Sequence, residues 1–268
     1  MSDTLLTINN LSIHFPTKNG PLKAVDANSF TIKKGETIGI VGESGSGKSI
    51  TALSIMQLLP KVAMMPNGTI NFGSQQPQSA DSQFLDLTKL DKNAIEKIRG
   101  SQIAMIFQEP MTSLNPVMTC GQQVVEAIQL HQKVSFETAK ATTLELFSQV
   151  KLPEVARIFN AYPHQLSGGQ KQRIMIAMAL SCRPALLIAD EPTTALDVTV
   201  QKGILELLNE IKTTYQLSIL FISHDLGVIR AIADRVLVMK KGKIVEAGTV
   251  DAIFNHPEHP YTLSLIHI

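Results

Sequence analysis

The sequence predicts an α/β fold organised around a parallel β-sheet, and three observations lead there. An apolar run, Thr37–Val41, passes directly into the glycine-rich loop Gly42-Glu43-Ser44-Gly45-Ser46-Gly47-Lys48-Ser49 and then into a helical pattern. From Gly168 onward, apolar residues at helical spacing alternate with short apolar runs, as when crossover helices join parallel strands and cover both sheet faces. The chain has 268 residues, 44% of them hydrophobic, which is enough to fill the interior such a sheet requires.

Taken in order, Leu5–Phe15 reads as a strand because Leu11, Ile13 and Phe15 alternate with polar neighbours. Ala24–Ile32 is a second strand, followed by a hairpin-like turn signal, Lys33-Lys34-Gly35-Glu36, and Thr37–Val41 is a third. Thr51–Leu59 continues as an apolar helix ended by Pro60, and Asn71–Gln83, rich in Gln and Ser, is most simply a solvated loop. Asp91–Arg99 has a helical pattern and Gln102–Phe107 is a short apolar strand. Thr119 to Phe159 is helical, with Val124, Val125 and Ile128, then Leu144, Phe147 and Val150, on apolar faces. After Leu166-Ser167-Gly168-Gly169-Gln170 the predicted order is helix to Leu180, strand Ala185–Ala189, helix Val200–Lys212, strand Ser218–Ile222, helix Leu226–Ala233 and strand Arg235–Met239. No internal repeat is visible.

Composition excludes several classes of function. Lys and Arg number 24 against 23 Asp and Glu, so no global field recruits nucleic acid or anionic lipid, and anion binding must come from local geometry. Cys120 and Cys182 are the only cysteines and have no metal-like spacing, which suits a reducing cytosol. No charged-then-apolar leader precedes the first strand, and runs such as Ala185–Ala189 are far too short to span a bilayer. Work at a membrane therefore requires docking onto another protein.

The loop Gly42–Ser49 carries the chemistry of triphosphate binding. Its backbone can turn N–H groups inward on phosphates, Lys48 can neutralise the β and γ oxygens, and the Ser49 hydroxyl can ligate Mg²⁺. A chance match of this pattern is on the order of one per cent for average glycine usage. Leu186–Glu191 is an apolar strand ending in two carboxylates, which alternation would place on opposite sides. Asp190 suits the Mg²⁺ shell and Glu191 suits polarising an attacking water as general base. Gln108, ending its strand, can touch Mg²⁺ or that water without adding charge, or can be a plain polar terminus. His224, after strand Ser218–Ile222, is either solvent-facing or within reach of a γ-phosphate. Ser167 can cap the helix that begins at Gly168, with Gly168 and Gly169 letting the backbone approach an anion closely and Gln170 completing the motif. Phe15 can stack on adenine, although its alternation with Leu11 and Ile13 suits a core position equally. His14, His131, His164, His256, His259 and His267 make no convincing metal set.

Together these segments resemble the ATP-binding subunits of ABC transporters, in the same order and over roughly Leu5 to Tyr261. Ile106–Pro116, Tyr162–Gln165, Ile188–Val198 and His259–Thr262 look more specifically like the peptide and nickel importer branch. The resemblance implies a P-loop NTPase (RecA-like) core with an N-terminal antiparallel β subdomain and an inserted helical subdomain at about 112–165. The ATPase domain would run over 1–255, with 256–268 starting a C-terminal extension. It implies ATP and Mg²⁺ as cofactors and two ATPase domains sandwiching two ATP molecules, whether homodimer, heterodimer or tandem. Each site would pair one phosphate loop with Ser167, Gly168, Gly169 and Gln170 of the other domain, with Asp197 in the loop Ala195-Leu196-Asp197 also at the nucleotide. The implied partners are permease subunits that span the membrane and, indirectly, an extracytoplasmic solute-binding protein, and the implied location is the cytoplasmic face. One departure is Phe15, where many relatives carry tyrosine.

The second departure is the end of the chain. Relatives continue past His259–Thr262 with a further helix and tail, whereas Leu263–Ile268 is what CTG-TCT-CTT-ATA-CAC-ATC encodes, the start of a common sequencing-library adapter. The natural sequence is thus expected to depart from this one after Thr262. The alternative reading is a soluble ABC ATPase acting in translation or DNA repair. That class usually carries tandem domains, long insertions or basic arms, and the compact span between Gln108 and Leu166 and the near-neutral charge disfavour it. An exporter half would typically follow fused membrane helices.

Overall fold

The computed structural model describes residues 3–73, 84–108, 113–194 and 196–266. The chain divides into two compact units, one formed by Met1–Glu96 with Gln216–Ile268 and the other by Lys97–Tyr215.

The first unit begins with strands β1 (Thr4–Thr17), β2 (Gly20–Lys33) and β3 (Thr37–Val41), helix α1 (Lys48–Ile55), and strands β4 (Met64–Phe72) and β5 (Leu85–Asp86). Helix α2 (Lys92–Ile98) runs across the boundary between units. The second unit holds β6 (Ile103–Ile106), α3 (Cys120–His131), α4 (Phe136–Gln149), α5 (Val155–Asn160), α6 (Gly168–Leu180), β7 (Leu186–Asp190) and α7 (Val198–Tyr215). The chain returns to the first unit with β8 (Ser218–Ser223), α8 (Leu226–Ile232), β9 (Arg235–Lys240), β10 (Lys243–Thr249), α9 (Val250–Asn255) and α10 (Pro260–Ile266).

Two sheets make up the first unit. An antiparallel sheet in the order β2-β1-β4-β5 buries Leu6, Ile8, Leu11, Ile13, Ile32, Ile70 and Phe72. In the second sheet β10, β9, β3 and β8 lie side by side, with β3 parallel to both β8 and β9 and β10 antiparallel to β9. Every residue of β3 and β8 is buried, so these strands read as continuous apolar runs rather than alternations. Gly39 lets α8 settle on β3, because a Cβ there would stand 2.7 Å from Ile229 Cγ2.

In the second unit β6 and β7 pair in parallel, and α3, α4 and α5 pack on one another through Val124, Ile128, Phe147, Ile158 and Phe159. The region Thr119–Phe159 resolves into these three helices. A capping box between Thr119 and Gln122 starts the first, and Ser135 caps the second by accepting from the Thr138 N–H. The α/β class, the antiparallel β subdomain and the helical subdomain are all present.

Four local expectations are corrected. Lys33–Glu36 does not close a hairpin, because β2 and β3 belong to different sheets. The Glu36 carboxylate accepts from the Lys33 N–H at 2.7 Å and from Arg235 at 3.0 Å, anchoring the turn to β9. The β1–β2 turn lies instead at residues 18–19, between the paired Thr17 and Gly20. The helix expected at Thr51–Leu59 starts earlier and stops at Ile55, because Gln57 adopts a left-handed conformation (φ 52°) that ends it ahead of Pro60. Asn71 and Phe72 end strand β4 rather than beginning a loop, and the rest of that expected loop, residues 74–83, lies outside the described residues. Glu191 has φ 48°, so the strand's pleat does not continue through it and alternation does not orient its side chain.

Candidate functional site

The phosphate loop connects the buried strand β3 to α1. Gly42 and Gly47 are forced by close backbone approach. A Cβ at Gly42 would stand 2.1 Å from the Met239 carbonyl oxygen, and one at Gly47 would stand 2.3 Å from that of Ala24, with φ 101°. The loop is thereby clamped against β2 and β9, while Glu43, Ser44 and Gly45 form an exposed arc. Lys48 is 4% exposed, and its ammonium donates to the carbonyls of Gly42 (2.8 Å) and Glu43 (3.0 Å). The Ser46 hydroxyl is buried without a partner among the described residues, inside a loop that also holds the buried Lys48 and turns the Glu43 side chain out to solvent. An orphaned donor in such surroundings fits an anionic ligand. Ser49 lies in the first turn of α1, and its hydroxyl is a hard oxygen of the kind magnesium selects.

His224 belongs to the same end of the same sheet. In the parallel β3–β8 ladder Val41 pairs with Ser223, so the residues that follow each, Gly42 and His224, leave the sheet side by side. His224 is exposed, and the turn after it is held by the Asp225 N–H donating to Ser223 Oγ at 3.0 Å.

In the second unit the ends of β6 and β7 bring two predicted residues together. The Glu191 carboxylate accepts from the Thr194 hydroxyl at 2.9 Å and, more weakly, from the Gln108 amide at 3.4 Å. The acid is thus oriented by a neutral amide and a hydroxyl. Asp190, the last residue of β7, is 5% exposed. Asp197 serves as a cap, its carboxylate accepting from the Val200 N–H at 2.9 Å at the start of α7.

The pentapeptide Leu166–Gln170 forms a reciprocal cap. Ser167 Oγ accepts from the Gln170 N–H at 3.3 Å, and Gln170 Oε1 accepts from the Ser167 N–H at 3.0 Å. This box occupies the N–H groups of Ser167 and Gln170. Those of Gly168 and Gly169 are first-turn donors with no intrahelical acceptor. Gly169 also packs closely, since a Cβ there would stand 2.7 Å from Val200 Cγ1. Arg173 anchors the helix by donating to the Val150 carbonyl at 2.7 Å, and burial pulls the pKa of its guanidinium down.

Phe15 is half-buried near the end of β1, whereas Leu11 and Ile13 are fully buried, so of the three alternating residues it alone keeps an open face. Part of Gln108–Pro116, residues 109–112, and Ala195 lie outside the described residues. No motif assigned a role to Tyr261, yet its hydroxyl accepts from the Glu43 N–H at 3.0 Å, inside the phosphate loop. The only signal for it was its place in His259–Thr262.

A phosphate-binding loop on a parallel strand, a carboxylate pair ending another and a glycine-opened, capped helix define an ATP-binding cassette. The family described as ABC transporter matches residues 25–194, and the chain belongs to it. It is 49% identical over 262 residues to the glutathione import ATP-binding protein GsiA of Escherichia coli strain K12, covering 98% of this chain and 41% of that protein. It is likewise 49% identical to the protein of that name from Salmonella choleraesuis strain SC-B67, covering 99% of this chain and 42% of the relative. The chain thus spans about two fifths of the length of these curated relatives. Among solved structures, the ATP-binding cassette MJ0796, a dimer in a post-hydrolysis state bound to ADP and Pi, superposes with a TM-score of 0.79 at 27% identity, over 92% of this chain and 99% of that one. CbiO1 from Clostridium perfringens, part of the ABC transporter complex cbiONQ, superposes with a TM-score of 0.77 at 26% identity, over 95% and 92%. Among the described residues no helix is long and apolar enough to cross a membrane.

Proposed function

We propose that the chain binds and hydrolyses ATP and so energises an ABC importer for peptides or related small solutes. It works as one of a pair of ATPase domains, docked on membrane-spanning permease subunits at the cytoplasmic face, with a solute-binding protein supplying cargo from outside. The observation that carries the reading is the clamped phosphate loop, with its buried Lys48 and a Ser46 hydroxyl that has no partner among the described residues. The glutathione-import relatives support the peptide class of cargo.

In this mechanism backbone N–H groups of residues 44, 45 and 47–49 receive the phosphates, and Lys48 exchanges two neutral carbonyls for charged oxygens, a stronger charge-assisted bond. Phe15 stacks on the adenine with its open face. Ser49, Asp190 and Gln108 would hold magnesium, which would supply positive charge to offset that of the phosphate oxygens. Glu191, oriented by Thr194 and Gln108, takes a proton from water as the water oxygen bonds to the γ phosphorus and the bond to the departing diphosphate breaks. His224 donates to the γ-phosphate. Gly168 and Gly169 of the second domain close over that phosphate with the N–H groups their capping box leaves available, while Gln170 and Asp197 act through the caps they form.

Glu191→Gln keeps the side chain's shape and removes its basicity. Phosphate release from MgATP is expected to fall about 10²–10⁴-fold, the usual contribution of a general base. With hydrolysis blocked, MgATP is expected to convert the variant from monomer to dimer in light scattering. Undiminished turnover in the variant rejects the reading, and ATP-dependent association of the chain with itself identifies the second domain as another copy.

A further inference from the structure

The proposed mechanism leaves His259-Pro260-Tyr261-Thr262 without a task, yet Tyr261 is among the more constrained side chains of the C-terminal segment. It is 4% exposed, although Pro260 before it and Leu263 beyond Thr262 are open to solvent. The turn that delivers it is tied to β10, where the Glu246 carboxylate accepts from the N–H groups of Glu258 (2.8 Å) and His259 (3.1 Å). The Tyr261 N–H donates to His259 Nδ1 at 3.0 Å, and the Lys240 ammonium lies 4.3 Å from the ring centroid. His259 thus holds the residue's backbone and Lys240 lies over its ring, whose one polar atom points at the phosphate loop.

There the hydroxyl accepts from the Glu43 N–H at 3.0 Å. On its other side, the Glu43 carbonyl accepts from Lys48. The residue before it, Gly42, has no room to move toward β9, since its Cβ position lies 2.1 Å from the Met239 oxygen. Glu43 exposes its side chain and yet has both ends of its backbone bound, one by the loop's lysine and the other by the C-terminal segment.

We propose that Tyr261 is a positioning residue of the nucleotide site: it holds the peptide joining Gly42 to Glu43 in place at the entry to the phosphate loop, and so couples the C-terminal segment to nucleotide binding. The coupling rests on the ATP-binding reading above, whereas the restraint on Glu43 does not. Losing the hydroxyl turns the Glu43 N–H over to water and lets the loop's entry sample other conformations, which a bound triphosphate must then restrict.

The test is Tyr261→Phe, which keeps the ring and its cation contact. In the nucleotide-free protein, amide hydrogen exchange of peptides covering residues 41–47 is expected to quicken several-fold, with peptides from β8 and β9 unchanged. Binding of a fluorescent ATP analogue is expected to weaken three- to tenfold, and the ATPase KM to rise by a similar factor while kcat changes less than twofold. Glu246→Gln, which leaves Tyr261 in place and weakens the turn delivering it, should move both readouts the same way by a smaller factor. Unchanged exchange at 41–47 in Tyr261→Phe overturns the proposal whatever the nucleotide does. Quicker exchange with unchanged affinity overturns the coupling. A wild-type chain that binds no nucleotide overturns the ATP reading and leaves the exchange experiment to decide the restraint.

Discussion

Gly168 and Gly169 stand side by side in the same first helical turn and face different neighbours, so alanine at each should act oppositely. At Gly168 a new Cβ would find its nearest atom, Leu196 Cδ2, at 3.5 Å, an ordinary contact. Alanine there costs no space and recovers up to about 0.5–1 kcal/mol of helix preference over glycine. At Gly169 the Cβ would lie 2.7 Å from Val200 Cγ1, against an optimum of ~3.5–4.0 Å between carbons. Val200 is β-branched, stiff at χ1, and cannot swing its methyl away. Overpacking of this kind costs about 1–3 kcal/mol, so Gly169→Ala should be net destabilising by about 0.5–2 kcal/mol after the helix gain. Val200→Ala removes the offending methyl, and in that background Gly169→Ala should become neutral or stabilising, a coupling of about 1–2 kcal/mol. Thermal unfolding followed by circular dichroism resolves this, since 1 kcal/mol moves Tm by roughly 2–4 °C in a domain of 150–250 residues. Equal melting shifts for the two alanine variants, or no relief from Val200→Ala, would refute the reasoning.

Two further outcomes can be checked directly. Lys48→Ala removes the cation that bridges the Gly42 and Glu43 carbonyls, and equilibrium binding of an ATP analogue should become undetectable at concentrations that saturate the wild type; retained affinity would reject the lysine's role. Burial pushes the Cys120 thiol up to about 11, so at pH 8 it stays protonated, and a disulfide reagent should titrate one thiol per native chain, the partly exposed Cys182, and two after denaturation. Two fast thiols in the native protein would contradict the buried placement of Cys120.

What was legible in the sequence was whatever depends on local pattern. Thr37–Val41 and Ser218–Ile222 read as strands because both faces are buried and the runs are unbroken, and Gly42–Ser49 followed from spacing alone. The missed pieces depend on distant partners. Strand β4, for which the sequence raised no expectation, contains Pro66-Asn67-Gly68; Gly68, at φ 119°, has no room for a side chain, since a Cβ there would stand 2.6 Å from Leu11 Cα, and the register against β1 shifts nearby. Lys33–Glu36 looks like a hairpin until Arg235, nearly two hundred residues on, takes hold of Glu36. At the site, residue identities were readable but orientations were not. Nothing local announces that Glu191 turns left-handed, that Gln108 reaches its carboxylate, or that a tail tyrosine touches the phosphate loop.

The capping box at Ser167 and Gln170 has a consequence for how two such domains find each other. The donors it spares, the N–H groups of Gly168 and Gly169, carry no formal charge. Their pull on a phosphate is that of partial charges and falls off within about one helical turn, whereas a lysine or arginine carries a full charge felt across a Debye length of roughly 8–10 Å. In the proposed pairing this half-site therefore draws a partner in only weakly from a distance. It rewards only the last ångström of approach, when geometry is already correct, and so behaves as a latch rather than a magnet.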